Sequence, residues 1–75
     1  MPKLPRTTPK KVLAALQRIG FYIHHQTGSH VNLRLNTKPH LHIIIPMHDG
    51  DLAPKTLKSI ISQSEIALEE FLKIL

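Results

Sequence analysis

Apolar residues near the N-terminus recur at the spacing of an amphipathic helix. Thr8 suits an N-cap and Pro9 suits the first helical position, and the apolar pattern then continues as far as Gly20. The predicted inner stripe consists of Val12, Leu13, Leu16 and Ile19. We therefore expect a first helix with its charged residues facing solvent, preceded at residues 1–7 by an extended, mobile arm.

The period then changes to two, which is typical of β-strands. Three alternating stretches, 21–27, 30–35 and 40–46, are separated by turn residues at 28–29 and 36–39. The residues of odd parity are mostly apolar, namely Phe21, Ile23, Val31, Leu33, Leu35, Leu41, Ile43 and Ile45. This pattern predicts a meander of three antiparallel strands with helices packed on the odd-numbered face.

The even-numbered residues of these strands form the second face of the predicted sheet, which is polar, basic and rich in histidine. His30, Asn32 and Arg34 follow one another on this face of the second strand. If the second and third strands pair with both apolar sets inward, one register places Asn32 beside His42 and Arg34 beside His40.

The last third of the chain predicts helix. After a loop at 47–51, Pro54 can open a helix with Leu57, Ile60 and Ile61 on its inner side. Ser64 is a candidate cap for a last helix that has acidic residues near its start, although no Gly or Pro separates residues 55–75 and one longer bent helix is the alternative. The predicted class is α+β, in the order α-β-β-β-α with the final helix split or continuous.

Composition narrows the possible functions. The chain has 75 residues, which predicts a single domain over residues 1–75, and ten Lys and Arg against five Asp and Glu give a net charge of +5. Such a balance favours a polyanionic partner, either nucleic acid or an acidic protein. The absence of cysteine excludes disulfides and thiolate nucleophiles, and no apolar run is long enough to span a membrane. We expect a cytoplasmic protein with no membrane partner.

Six histidines in 75 residues allow three interpretations. As metal ligands, His40 and His42 could join His30 or His48, but no cysteine and no well-spaced carboxylate supports such a site, so we expect neither metal nor cofactor. As surface residues, His24, His25 and His40 need no further role, and the inward parity of His25 predicts a place at the edge of the core.

As a catalytic group, a histidine suits phosphodiester chemistry because its pKa of about 6.5 lets it take or give a proton near neutrality. RNA carries its own nucleophile in the 2′-hydroxyl, so a base, an acid and cations around the phosphate suffice. His30 with Arg34 and His42 as neighbours offers these functions. His30 is the candidate base or acid, and His42 and His48 are the candidates for its partner.

Other polar residues have simpler interpretations. Ser29 beside His30 could be imagined as a nucleophile, but a turn serine that fixes the backbone fits better because no oxyanion loop or third member is apparent. Arg34 is expected to hold an RNA phosphate. The lysines expected to be solvated, with some contacting RNA phosphates, are Lys10, Lys11, Lys38, Lys55 and Lys58.

An ordered series of short motifs covers nearly the whole chain. The motifs are Gly20-Phe21, Thr27-Gly28-Ser29-His30, Ile45-Pro46-Met47-His48, Thr56-Leu57-Lys58-Ser59-Ile60 and Glu69-Glu70-Phe71. None of them is specific alone, but together they resemble the HicA-type toxins of bacterial toxin–antitoxin systems.

The resemblance implies a fold like that of double-stranded-RNA-binding domains and the activity of a ribosome-independent mRNA interferase, neutralised by a HicB-type antitoxin. It implies that His30, in the Gly-Ser-His motif, is the catalytic residue, and it maps the Pro-x-His histidine onto His48. The sequence departs from the family at Val31, where a second histidine is common, and at Glu65 and Ala67, where a glycine and a capping Ser or Thr are frequent. The alternative function is a non-catalytic double-stranded RNA-binding module, which would need no particular histidine.

Overall fold

A computed structural model describes residues 3–75 of the chain. The elements are α1 (Pro9–Arg18), β1 (Tyr22–Thr27), β2 (His30–Arg34), β3 (Ile43–Pro46), α2 (Pro54–Ser64) and α3 (Leu68–Ile74). The three strands form one antiparallel sheet in the order β1-β2-β3. The predicted α+β class and three-stranded meander are confirmed, and the C-terminal helix is split.

Helix α1 begins and ends at the residues that the sequence indicates. The Thr8 hydroxyl accepts a hydrogen bond from the Lys11 N–H at 3.3 Å, which satisfies one free donor of the first turn. At the other end Gly20 has a φ of +109°, and a Cβ there would lie 3.3 Å from the Leu35 side chain. A residue with a side chain would be strained at this position, so glycine fixes the turn from α1 into β1.

The core lies between the helices and one face of the sheet. Its fully or nearly fully buried residues come from every element except β1, namely Val12, Leu16, Phe21, Val31, Leu33, Leu41, Ile43, Ile45, Leu52, Leu57, Ile60 and Phe71. On α1 the stripe is shifted from the prediction: Ala15 is buried and Ile19 is 41% exposed. Ile19 is the C-cap, with a backbone that is no longer helical, so its side chain leaves the buried side.

Strand β1 differs from the predicted alternation. Its pairing with β2 shifts by one between Ile23 and His25, so that Ile23 lies opposite Leu33 while His25 lies opposite Asn32. This β-bulge reverses the faces of the residues beyond it. The predicted inward place of His25 is therefore wrong, and Ile23 is 44% exposed because β1 is an edge strand that the helices do not cover.

The register between β2 and β3 is displaced by two residues from the predicted one. Asn32 pairs with Ile44 instead of His42, and the predicted neighbour of Arg34, His40, lies in a turn beside Glu65. The reason is that residues 35–41 form two successive turns, closed by hydrogen bonds from the Lys38 N–H to the Leu35 oxygen and from the Leu41 N–H to the Lys38 oxygen. The third strand consequently starts at Ile43.

Helices α2 and α3 are separated at Glu65, which adopts a left-handed conformation with φ of 57°. Ser64 does not cap α3 as predicted. Its hydroxyl donates to the Ile61 oxygen at 2.6 Å and accepts from the Ile66 N–H at 3.1 Å, whereas the N-cap of α3 is Ala67, which has no capping side chain. The break thus forms without the glycine that usually occupies such a left-handed position.

Part of the predicted arm is held against the domain. Leu4 packs against the core, and Thr7 is buried with its carbonyl oxygen accepting a hydrogen bond from the Leu52 N–H at 2.8 Å. Residues 1–2 of the arm lie outside the described residues. Within residues 3–75, no helix has the length and apolar character needed to cross a bilayer.

Candidate nucleic-acid interface on the open sheet face

Directly paired residues of an antiparallel sheet project to the same side, so the register identifies the face that the helices leave uncovered. We call it the open face. It comprises Tyr22, His25 and Thr27 on β1, His30, Asn32 and Arg34 on β2, and His42, Ile44 and Pro46 on or just before β3. Since none of these nine residues is acidic and four are His or Arg, the surface suits an anionic ligand.

His30 stands at one end of the open face. It pairs with Thr27 on one side and with Pro46 on the other, and its side chain is exposed. The two-residue turn before it has Gly28 at a φ of +57°, which is typical of a type II′ hairpin turn with glycine in its first central position. The Gln26 amide donates to the Gly28 oxygen at 3.0 Å and braces this turn. The hairpin therefore presents His30 to solvent at the rim of the sheet.

The loop after β3 runs alongside the same hairpin. The Met47 N–H donates to the Ser29 oxygen at 2.6 Å, which extends the β2–β3 ladder beyond its last pair. The next residue, His48, is exposed, and its Nδ1 donates a hydrogen bond to the backbone carbonyl oxygen of Asp49 at 3.0 Å. Because Nδ1 carries the proton, Nε2 is free to accept one. A shallow pocket of about 240 Å³ here is lined by Lys10, Met47, His48 and Asp49.

His42 lies toward the opposite end of the open face. Its Nε2 donates to the Asn32 side-chain oxygen at 2.7 Å, and Asn32 is only 6% exposed although it belongs to the open face. Partial burial of the ring lowers the pKa of His42, and the neighbouring basic side chains, Arg34 first and then His25 and His24, lower that pKa further. The neutral ring is consequently favoured, with Nδ1 unprotonated.

Around His42 the structure gathers an arginine and two further histidines. Arg34 pairs directly with Tyr22, and its Nε is buried without a hydrogen-bond partner among the described residues. His24 and His25 share one hydrogen bond between their Nδ1 atoms at 2.7 Å. In residues 3–75 the two ion pairs found, His40 with Glu65 and Lys73 with Glu70, include none of these groups.

The predicted phosphate-binding lysines do not share the open face. All five are exposed, and they lie on α1 (Lys10, Lys11), in the turn between β2 and β3 (Lys38) and on α2 (Lys55, Lys58). Of these, Lys10 comes close to the His48 loop, where both line the same pocket. Lys58 instead borders a groove with Lys3, Leu4 and Ile61 on the helix side of the domain.

The structure thus separates the predicted partners of His30. His48 is tied to the hairpin that carries His30, whereas His42 is engaged with Asn32 near Arg34. No group of three or more potential metal-binding side chains comes together within the described part of the chain.

Sequence reasoning gave no role to three features of the open face. Tyr22 and Ile44 are 40% and 39% exposed there, and His25 joins it through the bulge. The outward parity of Tyr22 could have marked it as a surface aromatic. Nothing in the sequence signals the bulge, so His25 could not have been found from pattern alone.

Comparison with known proteins identifies a family for this chain. Residues 9–66 match the model of a family described as HicA toxin of bacterial toxin–antitoxin systems. No curated protein matches the chain significantly. The matched segment runs from the first residue of α1 to the break between α2 and α3, and it includes the whole sheet.

Proposed function

This chain belongs to the HicA toxins of bacterial toxin–antitoxin systems, and from that premise we propose that it is a metal-independent endoribonuclease that cleaves mRNA without the ribosome. The observation that carries this proposal is the position of His30. It is an exposed histidine at the rim of an open face that holds further basic groups and no acid. An anionic strand lying on that face would bring its phosphates to an imidazole able to move a proton.

The reaction needs only groups that the RNA and the protein supply. A base removes the proton of the 2′-hydroxyl, the oxygen attacks the adjacent phosphorus, and the bond from phosphorus to the 5′-oxygen breaks. An acid protonates the departing 5′-oxygen. The products are a 2′,3′-cyclic phosphate and a 5′-hydroxyl, and the proton taken by the base balances the one given by the acid. In our proposal His30 is one of these two groups.

His48 is the better candidate for the second group. The Met47–Ser29 hydrogen bond holds the His48 loop against the hairpin of His30, and the Nδ1 bond to Asp49 leaves Nε2 of His48 free. His42 lies farther along the sheet and is bonded to Asn32. Ser29 contributes its backbone oxygen to this arrangement and positions the turn, so it needs no nucleophilic role.

The surrounding charges favour an RNA substrate and an acidic partner protein. Arg34 on the open face and Lys10 beside His48 are the cations closest to the proposed path of the RNA backbone, and Lys11 and Lys38 add exposed charge on neighbouring segments. We propose that a HicB-type antitoxin neutralises the toxin in the cytoplasm by covering the open face or blocking RNA access to His30. Expression of the toxin alone should then slow growth.

The decisive test is the substitution His30→Ala. We expect the variant to keep the far-UV circular dichroism spectrum of the parent and to lose RNA cleavage, because an exposed rim residue contributes little to folding. The matched control is His40→Ala, which removes an exposed histidine bound only to Glu65 and should cleave normally. End-group analysis of the product should identify the cyclic phosphate, and a chelator should have little effect.

Three results would contradict parts of this proposal. RNA binding without cleavage by the parent protein would leave a non-catalytic double-stranded RNA-binding module as the better interpretation. Cleavage by His30→Ala at the parental rate would exclude His30 as a catalytic group. Equal toxicity of His30→Ala and the parent in growing cells would show that the toxicity does not come from catalysis.

A further inference from the structure

We propose that the end of the open face opposite His30 is a nucleotide-binding subsite for single-stranded RNA, where a base stacks on Tyr22 and the adjoining phosphate contacts Arg34 and the His24–His25 pair. The inference rests on the proposed RNA substrate and adds to it the strandedness and the path of the bound chain. Neither Tyr22 nor the two adjacent histidines has a role in the proposed cleavage.

Tyr22 provides the stacking surface. It is 40% exposed on an edge strand, and none of the helices formed by residues 3–75 covers its face of the sheet. It lies directly opposite Arg34, so a base on the ring would place its phosphate near the guanidinium. Aromatic side chains on open sheet faces bind unpaired bases in this way, since every base has a π-face. A duplex cannot use such a surface because its bases are already stacked and paired.

The groups beside Tyr22 suit an anion. Arg34 has a buried Nε without a partner, and the charged or titratable groups that face His42 are Arg34, His25 and His24, all of them basic. The Arg34 guanidinium disfavours a second positive charge on the His42 ring unless a negative ligand offsets it. A phosphodiester would supply a negative charge and would accept hydrogen bonds from the terminal N–H groups of the Arg34 guanidinium, since the Nε is buried.

The spacing fits a short single strand. From His30 to Arg34 is four steps along β2, or roughly 13 Å at about 3.3 Å per residue. This separation is too large for one nucleotide to touch both groups, so the subsite would hold a nucleotide beyond the cleaved bond. The exposed Ile44 on the neighbouring strand lies between the two ends and offers apolar contact to the intervening sugar or base.

Binding should be measured in the His30→Ala background so that cleavage does not interfere. The probe is a labelled single-stranded RNA of about eight nucleotides, within the site sizes of small single-strand-binding folds, together with the duplex of the same sequence. We expect tighter binding of the single strand. Tyr22→Leu should weaken that binding by about fivefold or more, and Tyr22→Phe should restore most of it because the ring remains.

Two controls separate the subsite from general effects. Ile23→Ala changes a residue of similar exposure on the same strand whose register partner is the buried Leu33, and it should bind RNA like the parent. Arg34→Gln should lower the slope of log K against log salt by about 0.7, as expected for the loss of one phosphate contact to a single strand. Lys73→Gln, which removes a charge on α3, should leave the slope unchanged.

A titration of His42 reports on the anion directly. Without RNA, burial and the neighbouring basic side chains lower the pKa of His42, and a phosphate bound beside Arg34 should shift the NMR titration of this ring to higher pH. A merely structural role for Arg34 would not produce this shift. An unchanged titration in the presence of saturating RNA would overturn the phosphate site.

The outcomes distinguish the subsite from the enzyme. If the wild type cleaves RNA but Tyr22→Leu binds as tightly as its parent, the subsite is refuted and the nuclease stands. If the wild type cleaves nothing while the Tyr22 variants behave as expected, the subsite stands and the nuclease fails. Preference for the duplex, or an equal loss with Ile23→Ala, would also overturn the subsite.

Discussion

The two faces of the sheet are made by the same strands and differ in what their residues contact. On β2, Val31 and Leu33 are 2% and 0% exposed in the core, whereas His30, next to Val31 in the same strand, is exposed on the other face. The covered face consists of aliphatic side chains packed against three helices, and the open face carries basic and aromatic side chains. Stability and chemistry can therefore be changed separately at neighbouring positions of one strand.

The largest expected effect is on the covered face. Leu33→Ala removes a fully buried side chain and should lower the free energy of unfolding by about 2–5 kcal/mol, because it loses transfer energy and leaves a cavity. Urea denaturation followed by circular dichroism measures this loss. His30→Ala should change the same free energy by no more than about 0.5 kcal/mol. Equal destabilisation by the two substitutions would remove the distinction between the faces.

Asn32 is the exception that sharpens the comparison, since it belongs to the open face and is nevertheless buried. Asn32→Ala deletes the acceptor of the His42 Nε2 hydrogen bond and should cost about 1 kcal/mol of stability. A double-mutant cycle with His42→Ala measures the coupling between the two side chains. Additive effects would mean that the hydrogen bond contributes nothing to folding and that Asn32 acts through packing alone.

The smallest expected effect lies on the helix side and is a gain. Glu65 ends α2 with a positive φ, so Glu65→Gly should stabilise the domain by up to about 1 kcal/mol through relief of backbone strain. The exposed contact of Glu65 with His40 is worth little by comparison. Thermal unfolding should show a higher midpoint with RNA cleavage unchanged. A lower midpoint would indicate that the contact with His40 outweighs the strain.

Local patterns predicted most of the fold correctly. The Thr8 cap, the Pro9 start and the Gly20 end defined α1, and the alternation from His30 to Arg34 assigned both faces of β2. The sequence left open whether the C-terminal region forms one long helix or two. Glu65 decides this, because its backbone is left-handed, a conformation that glutamate rarely adopts. Its neighbour Ser64 satisfies the Ile66 N–H just beyond the break.

The candidate site was predictable only in part. The Gly28-Ser29 turn and the exposure of His30 follow from residues adjacent in sequence. The identity of the second proton-transfer group does not follow from the sequence, because the sequence offers His42 and His48 equally. The Met47 hydrogen bond to Ser29 and the Asn32 hydrogen bond to His42 separate them, and both join segments far apart in the chain.

By itself, the sequence determined the period of most elements, most of the aliphatic core and the turn that carries His30. These depend on interactions within a few residues, which periodicity and turn chemistry describe. Only the tertiary structure decided the bulge that moves His25 to the open face and the register that sets Arg34 opposite Tyr22. Cross-strand pairing selects both, because a shift of one residue exchanges the faces of a strand while leaving its local sequence unchanged.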